Sequence, residues 1–183
     1  NGSLIMANDL IATKIDDIQK EADTINPDYL IVDTPGQIEL FAYRQSGPFF
    51  VNEFIAEEKM NLFLFDGTMV STPNNFVSLT LLSTSIRLRL GLPTVNVITK
   101  TDLIQEKLEK VLSWSGTDSQ LEADLAGEVN GDTFSLVSDM LTSLNRHDFQ
   151  QDLIPVSNAT GDGMVNLQSA LSRTINLGEE IED

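Results

Sequence analysis

Three short stretches combine residue types that do chemistry together. Asp33-Thr34-Pro35-Gly36-Gln37 follows the apolar run Tyr29–Val32. An Asp at the end of an apolar strand, usually acting through water, holds a hydrated cation beside a terminal phosphate. A Gly three residues later lets its backbone N–H approach a phosphate oxygen with no Cβ in the way. The same residue types also build an ordinary turn, which Pro35 suits, so this stretch acquires meaning only from the rest of the chain.

Thr99-Lys100-Thr101-Asp102 follows the run Thr94–Ile98. The Asp102 carboxylate accepts two hydrogen bonds from a base edge that carries an N–H and an NH₂ side by side, as guanine does. Adenine lacks both donors there and leaves the carboxylate unpaired, a difference of about 1–3 kcal/mol or more. The Lys100 stem can lie along a base plane while its ammonium stays in water. Asp102 would equally serve as a helix cap. Ser157-Asn158-Ala159-Thr160-Gly161-Asp162-Gly163 follows Leu153–Val156. Its small residues and glycines let backbone N–H groups face a base, although a Gly-rich loop before a helix is common on its own.

These stretches need a frame that brings them together. Short apolar runs alternate with longer helical patterns, which is how a parallel α/β sheet is written. Strands are predicted at Tyr29–Val32, Asn61–Phe65, Thr94–Ile98 and Leu153–Val156. Helices are predicted at Leu10–Ala22, at Ile38–Lys59 with a break at Gly47-Pro48, at Asn74–Leu90 stopped by Gly91 and Pro93, over most of Leu103–Arg146, and at Met164–Ile175. The long helical stretch is interrupted near Ser115-Gly116 and Asn130-Gly131. Strands joined by helices are parallel, and ligands bind beyond the carboxyl ends of such strands. All three stretches stand there. The fold class expected is therefore α/β, a parallel sheet flanked by helices, in one domain over residues 1–183.

Composition narrows the partners. The 183 residues carry 11 Lys and Arg against 28 Asp and Glu, a net charge of −17. Such a surface repels nucleic-acid phosphates and anionic lipid. It serves solubility, a proteome adapted to salt, or a basic protein partner. No apolar run approaches the roughly 20 residues of a membrane span, and no charged-then-apolar secretion signal opens the chain, so a cytoplasmic location is expected. With no cysteine and the single histidine His147, a zinc or nickel site is not expected. His147 reads as a surface residue, and Trp114 and the methionines as packing. Phe49, Phe50 and Phe54 read equally as core or as a dimer face.

The order of the three stretches matches that of GTPases, and the motif DTPGQIE at Asp33–Glu39 resembles the GPN-loop GTPase family. So do the helix-breaking Ser46-Gly47 and the opening Asn1-Gly2-Ser3-Leu4, which is similar to the residues that start at the Asn of that family's Gly-Pro-Asn motif. The resemblance covers essentially the whole chain. It implies a P-loop NTPase type of fold, incomplete at the N-terminus, because the phosphate-binding loop with its glycines, lysine and magnesium-binding Ser or Thr would precede Asn1. The chain alone is then expected to bind GTP weakly or not at all.

The resemblance further implies GTP as substrate, magnesium as cofactor and a homodimer. Asn1 would act across the dimer near the terminal phosphate, Asp33 would stand in the magnesium shell, and Gly36 would contact the terminal phosphate. Gln37 sits where related proteins orient the attacking water, and Glu39 is a second polar candidate. Lys100 and Asp102 would read guanine, with Ser157 and Asn158 supporting the base. Thr99 departs from the family's usual Asn and offers one hydroxyl in place of an amide pair; Asn158 stands where the family often has Ala. The function implied is that of a GTP-hydrolysing switch or assembly factor, with RNA polymerase assembly as the client process. A non-hydrolysing scaffold is the alternative. A metallochaperone GTPase is disfavoured by the lack of metal ligands.

Overall fold

The computed structural model describes residues 2–34, 36, 38–115, 120–146 and 153–179. It divides into two compact units, one built from Asn1–Glu58 with Leu88–Gly91, the other from Lys59–Arg87 with Leu92–Asp183.

In the first unit, α1 (Gly2–Ile25), α2 (Ile38–Ala42) and α3 (Ser46–Glu53) pack on one another. Helix α1 stops where Asn26 takes a left-handed conformation, φ 45°, just before Pro27, the usual chemistry of a helix end. Gln19 of α1 ties down the chain after α3: its amide donates to the Ile55 carbonyl at 3.2 Å, and its oxygen accepts from the Ile55 N–H at 2.8 Å. Ile15, Phe41, Ala42, Phe50 and Phe54 form the apolar centre. Phe50 and Phe54 stack with centroids 5.4 Å apart, so these two belong to the core, while Phe49 is exposed. The break in the helical stretch falls at residues 43–45 and not at Gly47-Pro48. Pro48 lies in the first turn of α3, where its missing N–H would have had no partner. Gly47 instead permits a close approach, since a Cβ there would collide with the Phe41 carbonyl.

One expected strand is absent. Tyr29–Val32 forms no strand, and all four side chains are exposed, Ile31 by 87%. Apolar character predicts burial but does not provide a partner, and no described strand pairs with this segment. Asp33 therefore follows an exposed apolar segment and not a strand.

The second unit carries the sheet. Strands β1 (Asn61–Asp66), β2 (Thr94–Thr99) and β3 (Leu153–Pro155) run parallel in the order β1-β2-β3, as expected. Central β2 is rich in β-branched residues and buried along nearly its whole length, the pattern of a strand covered on both faces. Helix α4 (Pro73–Leu90) covers one face. Phe63 and Phe65 of β1, Phe76 of α4 and Trp114 form a chain of ring contacts with centroids 5.0–6.4 Å apart. Trp114 is 2% exposed and donates its indole N–H to Asp124 at 2.8 Å. On the other face α8 (Met164–Glu179) packs Ala170, Leu167 and Leu171 against Val95 and Val97. Between β2 and β3 lie a 3₁₀ turn at Thr101–Leu103, α5 (Gln105–Ser113), α6 (Gln120–Leu125) and α7 (Gly131–Arg146). Asn130 caps α7 by accepting from the Thr133 N–H at 3.1 Å, which is why the helical stretch breaks at Asn130-Gly131. Met69, Met140 and Met164 are exposed; these methionines are not packing residues. His147 lies outside the described residues. Among the described residues, no helix is long and apolar enough to cross a membrane.

One polar pair sits inside this core. The Ser83 hydroxyl of α4 donates to the Asn96 side-chain oxygen of β2 at 2.6 Å, both residues being buried. Removing the hydroxyl leaves a buried acceptor unpaired, which costs about 1–3 kcal/mol. Ser83→Ala is expected to lower unfolding stability by that amount in urea titrations followed by Trp114 fluorescence. An unchanged midpoint would contradict the pairing.

Candidate nucleotide-base site

At the carboxyl edge of the sheet, backbone bonds extend the register beyond the strands. Asp66 stands opposite Thr99. The Gly67 N–H donates to the Thr99 carbonyl at 3.0 Å, the Thr101 N–H to Val156 at 3.3 Å, and the Val156 N–H to Ile98 at 2.8 Å. Gly67 is required here, because a Cβ would stand 2.6 Å from the Thr99 oxygen. The exits of β1, β2 and β3 are thus fixed against one another, and with them the side chains they carry.

Lys100 holds a left-handed backbone, φ 57° and ψ 36°, an arrangement that costs a non-glycine residue about 1–2 kcal/mol. Such strain is concentrated at functional positions. Its ammonium meets the Asp66 carboxylate at 2.6 Å. The other Asp66 oxygen accepts from the Thr68 N–H at 2.9 Å and the Thr68 hydroxyl at 2.7 Å. The hydrogen bond from Lys100, and after it that from Thr68, hold the Asp66 carboxyl at about 2, below its ordinary 3.8. Thr99 turns its hydroxyl to the Phe65 carbonyl at 3.2 Å, bracing β2 on β1.

Asp102 lies in the 3₁₀ turn that follows Lys100. Its Oδ1 accepts from the Ser157 hydroxyl at 2.6 Å. Ser157 is 1% exposed and its oxygen also accepts from the Thr160 N–H at 3.3 Å, so both of its functions are used. The loop closes on itself, with the Ser157 N–H donating to Asp162 at 3.0 Å and the Gly161 N–H to Ser157 at 2.8 Å. Gly161 and Gly163 take positive φ of 81° and 79°, and a Cβ on Gly163 would collide with the Pro155 carbonyl. The result is a partly exposed carboxylate oriented by a buried hydroxyl, with Asn158 exposed on the same loop. A carboxylate held this way keeps lone pairs for two N–H donors.

The structure thus brings Thr99, Lys100, Asp102 and Ser157 together with Asn158 on the adjoining loop. Asp33 and Gly36 belong to the first unit and are exposed there. Glu39 lies on α2, its side chain outside the described residues; Asn1 and Gln37 also lie outside them. Asp66, Gly67 and Thr68 were not among the residues the sequence singled out for chemistry. Part of their signal was present, since Asp66, like Asp33, ends an apolar run, but its glycine follows directly and not three residues later.

The fold is an α/β arrangement of parallel strands flanked by helices, with these side chains gathered at one edge of the sheet. A family profile described as conserved hypothetical ATP binding protein matches residues 1–177. The chain is 32% identical over 171 residues to the GPN-loop GTPase QQT2 of Arabidopsis thaliana, covering 90% of this chain and 43% of that protein. It is 28% identical over 187 residues to GPN-loop GTPase 1 of Saccharomyces cerevisiae, covering 96% and 48%. The chain spans about half the length of these two relatives. A GTPase from Pyrococcus abyssi, solved in its apo form, shares the fold with a TM-score of 0.80 at 21% identity, over 95% of this chain and 70% of that one. The chain belongs to the GPN-loop GTPase family.

The Asp66–Lys100 pair makes a pH prediction. The folded carboxyl titrates below the unfolded one, so the pair's contribution to the fold, small because the pair is exposed to solvent, is present above about pH 4 and fades as pH falls through about 2. Carbon NMR of the Asp66 carboxyl is expected to give a midpoint near 2 in the wild type, moving back towards 3.8 in Lys100→Met. A wild-type midpoint at the ordinary value would contradict the pairing.

Proposed function

We propose that this chain belongs to the nucleotide-binding domain of a GTP hydrolase. The observation that carries the reading is the Asp102 carboxylate, fixed by the Ser157 hydroxyl at 2.6 Å beside the Lys100 stem at the carboxyl edge of a parallel sheet. Carboxylate oxygens accept hydrogen bonds and do not donate them. The guanine edge offers two donors to such a group and adenine offers none, so the site favours GTP although the family's description speaks of ATP.

The donor set also fits magnesium. Among the described residues no group of three or more His, Cys, Asp or Glu is gathered to cage a metal. Magnesium with a nucleotide uses one or two carboxylates, several waters and the phosphates, and exposed Asp33 suits that role. Bound there, the ion would neutralise charge on the phosphates. Gly36 offers a backbone N–H with open space where a Cβ would stand, so a phosphate oxygen can come close. Gln37 and Glu39 would orient the attacking water, and Asn1 would reach the terminal phosphate of a partner subunit. These three roles, the homodimer, a cytoplasmic location and a client in RNA polymerase assembly rest on the family resemblance.

The Asp102→Ala variant of the full-length protein tests the reading. Loss of the guanine-reading carboxylate is expected to weaken GTP about ten- to hundredfold while leaving ATP nearly unchanged, measured by calorimetric titration in magnesium. Equal losses would reduce Asp102 to a structural cap. Binding without turnover in the wild type would favour the scaffold alternative.

A further inference from the structure

We propose that Asp66 is a positioning residue for the base site, acting by anchoring the Lys100 side chain as a ledge for the purine face. The inference rests on the nucleotide reading above and adds to it a residue outside the three motifs.

A lysine side chain has four rotatable bonds and a strongly hydrated head. Laying its stem along a base normally means ordering it at the moment of binding. Here that ordering is already done. The Lys100 ammonium is 2.6 Å from Asp66 Oδ2, although the lysine side chain is 56% exposed. Asp66 is itself held: Oδ1 takes two bonds from Thr68, and Gly67 locks the turn onto the Thr99 carbonyl. The carboxylate's direction is therefore set by the β1 turn, and the mobile partner in the pair is the lysine. Its stem spans from the end of β2 to the end of β1, starting from a left-handed backbone that is maintained at a cost. Thr99, whose hydroxyl is turned to the Phe65 carbonyl, does not provide this anchor.

An exposed ion pair contributes little to folding stability. A purely structural pair would therefore change almost nothing when broken, whereas an anchor for the base changes nucleotide affinity. Asp66→Asn separates the two. The amide oxygen still accepts from Thr68, and the NH₂ that replaces Oδ2 cannot accept from the ammonium. Lys100→Met keeps an unbranched stem, removes the ammonium and leaves the Thr68 turn untouched.

Fluorescent N-methylanthraniloyl GDP is titrated into the full-length wild type, Asp66→Asn, Lys100→Met and the double variant, with thermal unfolding measured on each. Both single variants are expected to weaken binding by a similar factor, about five- to tenfold, as expected when a pre-ordered group must be ordered on binding. Their unfolding midpoints should barely move. In the Lys100→Met background, Asp66→Asn should cost less than twofold, since its target is gone. Wild-type affinity in Lys100→Met, or an undiminished Asp66→Asn loss in the double variant, overturns the proposal. Should Asp66→Asn fail to fold, Lys100→Met alone decides by its affinity. Failure of the wild type to bind the probe overturns the nucleotide reading itself, and this inference with it; that outcome differs from wild-type binding with unaffected variants.

Discussion

The parallel register of β1, β2 and β3 sets where every group of the base site stands. Because Asp66 is opposite Thr99 and Ile98 opposite Pro155, the three strands end at one level. The residues that follow must leave the sheet along the same edge. Backbone bonds from Gly67, Thr101 and Val156 then carry that alignment past the strands. A shift of one residue in β2 would turn Val95 and Val97 away from α8 and move Lys100 and Asp102 off their partners at the same time. Core packing and site geometry thus depend on one set of hydrogen bonds.

Within this frame the site is built from pairs in which a fixed group orients a reactive one. Buried Ser157 orients Asp102, and Asp66, held by Thr68, orients Lys100. Each pair joins two different strand exits, so neither can form unless the sheet is assembled. The strongly negative surface gives the arrangement a further meaning. With 28 acidic and 11 basic residues, the chain as a whole repels phosphate-bearing ligands. Under the proposed function a nucleotide is selected by local donors and acceptors, and the Lys100 ammonium weighs more there than it would on a neutral protein.

Much of this was legible in the sequence. β-Branched runs such as Thr94–Ile98, punctuated by Gly91 and Pro93, announce strands and helix ends through local sterics alone. Asp102 and Ser157 were legible through the order of the three stretches beyond the apolar runs, since each stretch alone reads equally as a helix cap or an ordinary loop. Tyr29–Val32 was misread for a physical reason: its residues state a preference for burial, whereas a strand also needs a neighbour. The helix break near Gly47-Pro48 was displaced because Pro is harmless in a first turn and Gly47 serves a close contact with Phe41. Asp66 went unassigned because its partner, Lys100, is 34 residues away, and such a pairing exists only once β1 and β2 are in register.

In the proposed function Asp102 reads the donor edge of guanine. Xanthine keeps the ring N–H but presents a carbonyl where guanine has its NH₂. Asparagine, one acceptor and one donor, is the complement of that edge. Nucleotide preference of full-length Asp102→Asn, by competition between GTP and XTP, measures the claim directly. Preference is expected to pass from GTP in the wild type to XTP in the variant. A variant that still prefers GTP by the wild-type margin would show that the base is read elsewhere.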